Sequence, residues 1–444
     1  MTVKRRGYAL LCAVAALIVS LSALLYAGVA ADHGAAHGER SALAASQDRA
    51  GSAAPVSTGV WVGTWAAAPA GAEPGTAATG TAGRTVRNVV HTSVGGTSAR
   101  ITLSNLYGTR PLTVTHATLA VAAHDGGPAA VTGTLRRLTF GGATAVTVPA
   151  GGQTVSDAAA LAVPPDTDLL VSAFTPTSAG PVTFHTHAQQ TSYLAVGEYA
   201  EDVTGTAYTG TSRSWRYLTA VDVLSDEANG TVVAFGDSIT DGYASTPGAD
   251  RRWPDVLADR LRDAVRPGTD TPRYSVVNAG ISGNRLLSDG PLRGAAGLNR
   301  FEGDVLSRPD VRVVVLDLGI NDILRAPRLA DPDAIIAGLR TLADRAHARG
   351  VRVVGATLMP FGGHPGYSAG REAVRQRINA AIRTGKVFDA VVDFDKALRD
   401  PYDPRSLAPD YDSGDHLHPS DRGYREMAET LDLADLKGST PARL

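Results

Sequence analysis

From Asn229 onward, short Val-rich apolar runs alternate with helical stretches, and this alternation constrains the fold more than any other feature of the chain. The runs are Thr231–Phe235, Tyr274–Asn278, Arg312–Leu318, Val351–Leu358 and Val387–Phe394. Helical stretches fall near Arg252–Ala264, Asn299–Leu306, Asp331–Arg349, Arg371–Arg383, and from Pro419 to about Leu431. A strand that is apolar on both faces belongs inside a parallel sheet, and parallel neighbours need crossover connections, usually helices. The pattern predicts an α/β domain of five parallel strands with helices on both faces.

The preceding part of the chain has a different character. Between about Val60 and Ser225, short Val/Leu/Thr runs alternate with Gly, Pro and Asp clusters, without helical period. The runs are Thr85–Val94, Ala99–Leu106, Leu112–Ala122, Thr134–Phe140, Leu169–Phe174, Pro181–His187, Thr191–Val196 and Trp215–Leu224. Such spacing predicts an all-β sandwich of jelly-roll type. Trp61, Trp65 and Trp215 read as core residues rather than a sugar platform. His185 and His187 alternate and so share a face, but no further metal ligands lie nearby in sequence.

Lys4, Arg5 and Arg6 precede an apolar stretch from about Tyr8 to Ala31 that ends in small residues. That order reads as a secretory signal, with an uncleaved N-terminal anchor as the alternative. The only cysteine, Cys12, lies within it, so the exported chain would hold no disulfide and no thiolate site. The expected organisation is a signal peptide or anchor over 1–31, a disordered linker over 32–58, the β-sandwich over 59–226, the α/β domain over 227–436 and a tail over 437–444. A net charge of −2 argues against nucleic acid or an anionic membrane as main partner.

The chemistry is expected after the strands. Ligands of open α/β sheets gather at the carboxyl ends of the strands. The first run ends in Gly236-Asp-Ser238, the second in Asn278-Ala-Gly-Ile-Ser-Gly283-Asn, the third in Gly319-Ile-Asn321-Asp322. Gly236 is expected to let the chain turn sharply through its freedom of backbone angle, with Asp237 or Ser238 capping a helix. Together the turns offer a hydroxyl, a backbone N–H and a carboxamide, the set that acyl transfer requires. The base should be a histidine, and near the C-terminus Asp412-Ser-Gly-Asp415-His-Leu-His418-Pro places an acid three residues before one.

These residues resemble the SGNH hydrolases, also called GDSL esterases and lipases. The four blocks are carried by Ser238 in Gly-Asp-Ser-Ile, Gly283 in Ile-Ser-Gly-Asn, Asn321 in Gly-Ile-Asn-Asp and His418 in Asp-His-Leu-His, over about Thr231 to Leu431. The resemblance implies a flavodoxin-like α/β/α sandwich and an oxyanion hole from the Ser238 N–H, the Gly283 N–H and the Asn321 side chain. The leading β-domain and the run Gly242–Trp253 look similar to a subgroup of secreted bacterial two-domain arylesterase-like proteins. Some of that subgroup are associated with plant polysaccharide breakdown.

Of the two C-terminal histidines, His418 is the expected base and Asp415 its orienting acid. Residues three apart on one turn return to the same side, whereas His416, adjacent to Asp415, diverges from it. The expected protein is a secreted, monomeric serine ester hydrolase with nucleophile Ser238, base His418 and acid Asp415, needing neither metal nor cofactor. Its expected partner is a small-molecule or glycan ester of short acyl chain, with no nucleic acid and no membrane once the signal is cleaved. A lipase or lysophospholipase is the alternative, and a non-catalytic glycan-binding or adhesion protein is disfavoured by the full catalytic set.

Overall fold

Thr231–Gly236 is buried at every position, which only a central strand allows. In the computed structural model, which describes residues 59–266 and 268–438, it pairs in parallel with Ser275–Asn278 on one side and Val311–Asp317 on the other. Arg352–Ala356 and Ala390–Val392 extend the sheet, also in parallel. The spatial order is therefore second, first, third, fourth, fifth. That is the order of flavodoxin-like doubly wound sheets, in which a crevice opens where the order reverses. Here the turns after the first and third strands flank it.

The helices cover the sheet through apolar stripes. Ile335, Leu339, Leu342 and Ala346 recur at helical spacing on Pro332–His347 and are buried. That helix packs on Ala369–Arg383, and Trp253–Ala264 packs on Asp421–Thr430. Crossovers leave the first strand in opposite directions, so their common right hand places these two pairs on opposite faces. The α/β/α architecture expected from the Val-rich runs is present.

The region before it is all antiparallel. One sheet orders Val60–Ala66, Leu218–Ser225, Gly96–Ser104 and Ala159–Val163, with Gln153–Val155 also on Gly96–Ser104. A second orders Gly210–Ser212, Ser192–Val196, Arg84–His91, Asp168–Thr175, His116–Val121 and Arg136–Arg137. Val62, Ile101, Leu161 and Val221 of the first share one apolar cluster with Val90, Leu119, Leu169 and Val171 of the second. Trp65 and Trp215 meet edge to face within it, their centroids 4.9 Å apart. Trp61 is half-buried under the Arg100 guanidinium.

Several expected strands differ in extent. Leu112–Ala122 is two strands, Leu112–Val114 and His116–Val121, on different partners. Of Thr134–Phe140 only Arg136–Arg137 forms a strand, although Leu138 and Phe140 beyond it are buried in the core. Val60–Ala66 packs against Ser275–Asn278, the edge strand of the parallel sheet. There Gly63 is required for room: a Cβ would stand 3.0 Å from a Val277 methyl. The described residues within Ser57–Leu444 accordingly hold together as one compact unit. The segments 1–31 and 32–58 and residues 439–444 of the tail lie outside the described residues.

Candidate active site

The first strand ends at Gly236, and Ser238 opens the short helix Ser238–Asp241. Asp237 is the cap, its Oδ1 accepting from the Ile239 N–H at 3.1 Å. The reason for Gly236 is not the one expected. Its φ is not positive, but a Cβ there would stand 2.5 Å from the Asp317 carbonyl oxygen and would also strike the Thr240 hydroxyl. The residue is a glycine because the first and third strands and the helix converge there. Burial and the neighbouring Asp317 push the Asp237 carboxyl well up, and burial pushes Asp317 up to about 7. Both shifts disfavour the ionised forms, which works against negative charge beside a centre where an oxyanion would form.

A chain of hydrogen bonds runs from this serine to the C-terminal turn. His418 Nε2 lies 2.8 Å from Ser238 Oγ, and His418 Nδ1 lies 2.6 Å from Asp415 Oδ2. Asp415 Oδ1 accepts from the Leu417 N–H at 3.0 Å and the His418 N–H at 2.8 Å. Burial pushes the Asp415 carboxyl up, but the His418 ring and these two backbone donors outweigh it and hold the group well below the usual carboxylate range. Asp415 is thus ionised against the ring, which fixes Nδ1 as protonated and leaves Nε2 to accept. His416, at φ 62°, turns outward, and its Nδ1 meets Asp412 Oδ2 at 2.6 Å.

Gly283 and Asn321 line the same cleft, of about 770 Å³, as Ser238 and His418. Gly283 stands at φ 77°, a conformation that other residues adopt only with strain. Asn321 sits in the helix Ile320–Leu324 after the third strand. Its Oδ1 accepts from Arg325 Nε at 3.1 Å, while its Nδ2 is buried without a hydrogen-bond partner among the described residues. A buried donor left free is unusual and points to a function. The three strand-end turns and the C-terminal turn thus bring together Ser238, Gly283, Asn321, Asp415 and His418.

Other residues of the site carry no signal in the sequence. Arg300, buried, donates to the Gly236 carbonyl at 2.8 Å, the Ala279 carbonyl at 2.7 Å and Asn284 Oδ1 at 2.9 Å. It clamps the first and second turns together, with Asp304 as counter-ion at 3.0 Å. The Tyr243 ring lies 4.6 Å from that of His418, and His187 packs edge-on against Tyr243. His187 and Phe184 belong to the antiparallel region yet line the cleft. Elsewhere, His91, Asp168 and Asp250 bring ligand-type atoms within 4.8 Å of one another. They line or adjoin a separate cavity of about 380 Å³ that holds no Ser238 or His418. His91 is held by Asp168 at 3.0 Å and Asp250 at 3.4 Å, which reads as an ion-pair network joining the two regions.

Residues 234–426 match the model of the GDSL-like Lipase/Acylhydrolase family. This segment is a domain of that family. It is a hydrolase of carboxylic esters. No curated protein matches the chain. Among solved structures, a GDSL-like lipase from Bacteroides thetaiotaomicron is similar at 22% identity over 47% of this chain and 88% of its own, with a TM-score of 0.35. Est24, a carbohydrate acetylesterase from Sinorhizobium meliloti, is similar at 18% identity over 45% of this chain and 95% of its own, with a TM-score of 0.35. The aryl esterase of M. smegmatis is similar at 20% identity over 45% of this chain and 96% of its own, with a TM-score of 0.35. In the GDSL-like domain the family's name block is Gly236-Asp-Ser-Ile239, with Ile where the name has Leu. Both are branched aliphatics, and Ile239 is buried in the core beneath the serine turn.

Proposed function

We propose that the protein is a secreted serine esterase that removes short acyl groups, acetyl foremost, from a glycan or small-molecule alcohol through an acyl-enzyme on Ser238. The observation that carries this reading is the contact of His418 Nε2 with Ser238 Oγ at 2.8 Å, on a ring whose other nitrogen is held by ionised Asp415. Ser238 Oγ attacks the ester carbonyl as His418 takes its proton. The carbonyl oxygen becomes an oxyanion, received by the Ser238 and Gly283 N–H groups and by Asn321 Nδ2. Collapse expels the alcohol, which takes the proton from His418. Water then attacks the acyl-enzyme, with His418 again as base, and the carboxylic acid leaves.

The preference for short chains rests on the character of the cleft. Arg293, Arg325, His187 and His364 share its walls with Leu292, Leu324 and Leu417, so polar groups interrupt any path for a long alkyl chain. With nitrophenyl esters from acetyl to palmitoyl, turnover by the purified protein should be fastest on acetyl or butyryl and fall off beyond. Acetylated polysaccharide should release acetate. Fastest turnover on palmitoyl, or full activity in Ser238→Ala, would overturn the reading.

Export is proposed from the order of Lys4–Arg6, the apolar stretch and the small residues that end it. Among the described residues, no helix is long and apolar enough to cross a membrane. Intact-mass measurement on protein from the culture medium should give an N-terminus between about Ala30 and Ala36. A membrane-bound product that retains Met1–Ala27 would favour the anchor.

A further inference from the structure

Besides the Arg300 clamp, the loop that carries Gly283 is tied to the serine helix by a buried carboxylate. Asp241, the last residue of Ser238–Asp241, accepts through Oδ2 from the Ser282 N–H at 2.9 Å and from Ser282 Oγ at 2.6 Å. Backbone contact is equally close: Gly280 lies so near the Asp241 backbone that a Cβ would stand 2.8 Å from the Asp241 Cα. Ser282 immediately precedes Gly283, so the Asp241 carboxylate sets where the Gly283 peptide stands. Asp241 is 2% exposed. An isolated carboxylate at that depth would take up a proton, turn one acceptor into a donor and lose a bond to Ser282.

The group that prevents this comes from the antiparallel region. His185, on the strand Thr183–His185, directs Nε2 to Asp241 Oδ1 at 2.9 Å and Nδ1 to the Ala68 carbonyl oxygen at 2.8 Å. A carbonyl can only accept, so Nδ1 carries a proton. Asp241, held ionised, offers Oδ1 as an acceptor as well, so Nε2 then carries one too, and the ring is an imidazolium. Burial opposes that charge, but Asp241 outweighs it and holds His185 above the ordinary histidine value. In turn, burial pushes Asp241 up, and His185 outweighs it and holds Asp241 below the ordinary carboxylate value. Arg252, His187, Arg300 and Tyr424 are other charged or titratable groups that act on the pair, and the Trp215 ring packs against His185 at 5.4 Å. A fully buried ion pair is a poor source of stability compared with apolar packing, whereas it can specify one arrangement of polar groups.

We propose that His185 is a positioning residue of the esterase: a buried imidazolium, supplied by the antiparallel region, that keeps Asp241 ionised and thereby holds Ser282 and the Gly283 N–H in place for the oxyanion. This rests on the reading of Gly283 as an oxyanion donor. It also makes the antiparallel region part of the catalytic apparatus and not only a companion to it. Without His185, Asp241 protonates or shifts, the Ser282–Gly283 peptide drifts, and one donor is displaced from the transition state while ground-state binding is untouched.

The test is a double-mutant cycle on the full chain with nitrophenyl acetate. His185→Gln should lower kcat by roughly ten- to a hundred-fold with KM nearly unchanged. Ser282→Ala should lower kcat in the same manner but less. The double variant should be little slower than His185→Gln alone, because both changes act through one carboxylate. A folded His185→Gln enzyme with wild-type kcat, or losses that multiply, would overturn the proposal. If His185→Gln does not fold, the wild-type ring decides. Nitrogen NMR of labelled histidine should show both His185 nitrogens still protonated just above the pH at which an ordinary histidine loses its proton. A neutral ring there would overturn the proposal. Failure of the esterase reading itself looks different, since Ser238→Ala would then remain active.

Discussion

Ser238→Ala and His418→Ala should each lose nearly all esterase turnover, a fall on the order of 10⁴- to 10⁶-fold, while His416→Ala keeps most of it. The geometry makes the two histidines unequal although they are two residues apart. His418 Nε2 is 2.8 Å from Ser238 Oγ, whereas His416 is turned outward, half exposed and paired with Asp412. Asp415→Asn should fall between, at about 10³- to 10⁴-fold. The carboxamide can still accept from the Leu417 and His418 N–H groups, so the turn survives. What it loses is the charge that favours the imidazolium and selects the Nδ1–H tautomer. Esterase turnover of the four variants, each confirmed as folded by circular dichroism, checks the order. An inactive His416→Ala beside an active His418→Ala would reverse the assignment.

The parallel sheet was legible because its strands are buried on both faces and so read as unbroken apolar runs. The fifth is the exception in length. Val387–Phe394 yields only Ala390–Val392, because Asp393 caps a helix that begins at Phe394. Chain direction and helical period likewise placed the helices, apart from the change at Glu302–Leu306 to the wider π hydrogen-bond pattern. The antiparallel region was legible as a class and poorly legible in detail. Val146–Val148, Gln153–Val155 and Ala159–Val163 are short and partly exposed, so no alternation marks them. Pairing there is decided by partners distant in sequence.

The site divides along the same line. Ser238, Gly283, Asn321 and His418 each follow a local signal, a strand end or a turn, that is weak singly and specific only in their order along the chain. Arg300, which ties Gly236 to Ala279, lies 64 residues from one partner and 21 from the other. His185 and Asp241 meet across 56 residues and two regions of the chain. Nothing local distinguishes either from an ordinary polar residue. Gly236 shows the limit in another form: a glycine needed for closeness and a glycine needed for a left-handed turn look identical until the neighbours are in place.

Asn321→Ala should lower turnover by roughly a hundred- to a thousand-fold and leave the protein at least as stable as before. The two halves of that expectation share a cause. Asn321 is 4% exposed, with Nδ2 buried beside the Asp237 carboxyl but in no well-formed hydrogen bond, an arrangement that costs folding free energy in the resting enzyme. Arg325 enforces it by occupying Oδ1, which keeps the amide from turning its oxygen into the cleft. On the proposed role, the donor serves a charge that exists only in the transition state, where a low-dielectric site makes the hydrogen bond strong. Removing it takes away that bond but relieves an unsatisfied group, and exposed Arg325 can turn to water. KM should change little, because the ground-state carbonyl gains far less from the donor than the oxyanion does. Steady-state kinetics and thermal unfolding on the same preparation check both halves. Near-normal turnover would show that another group receives the oxyanion, and a marked loss of stability would show that the amide serves the fold.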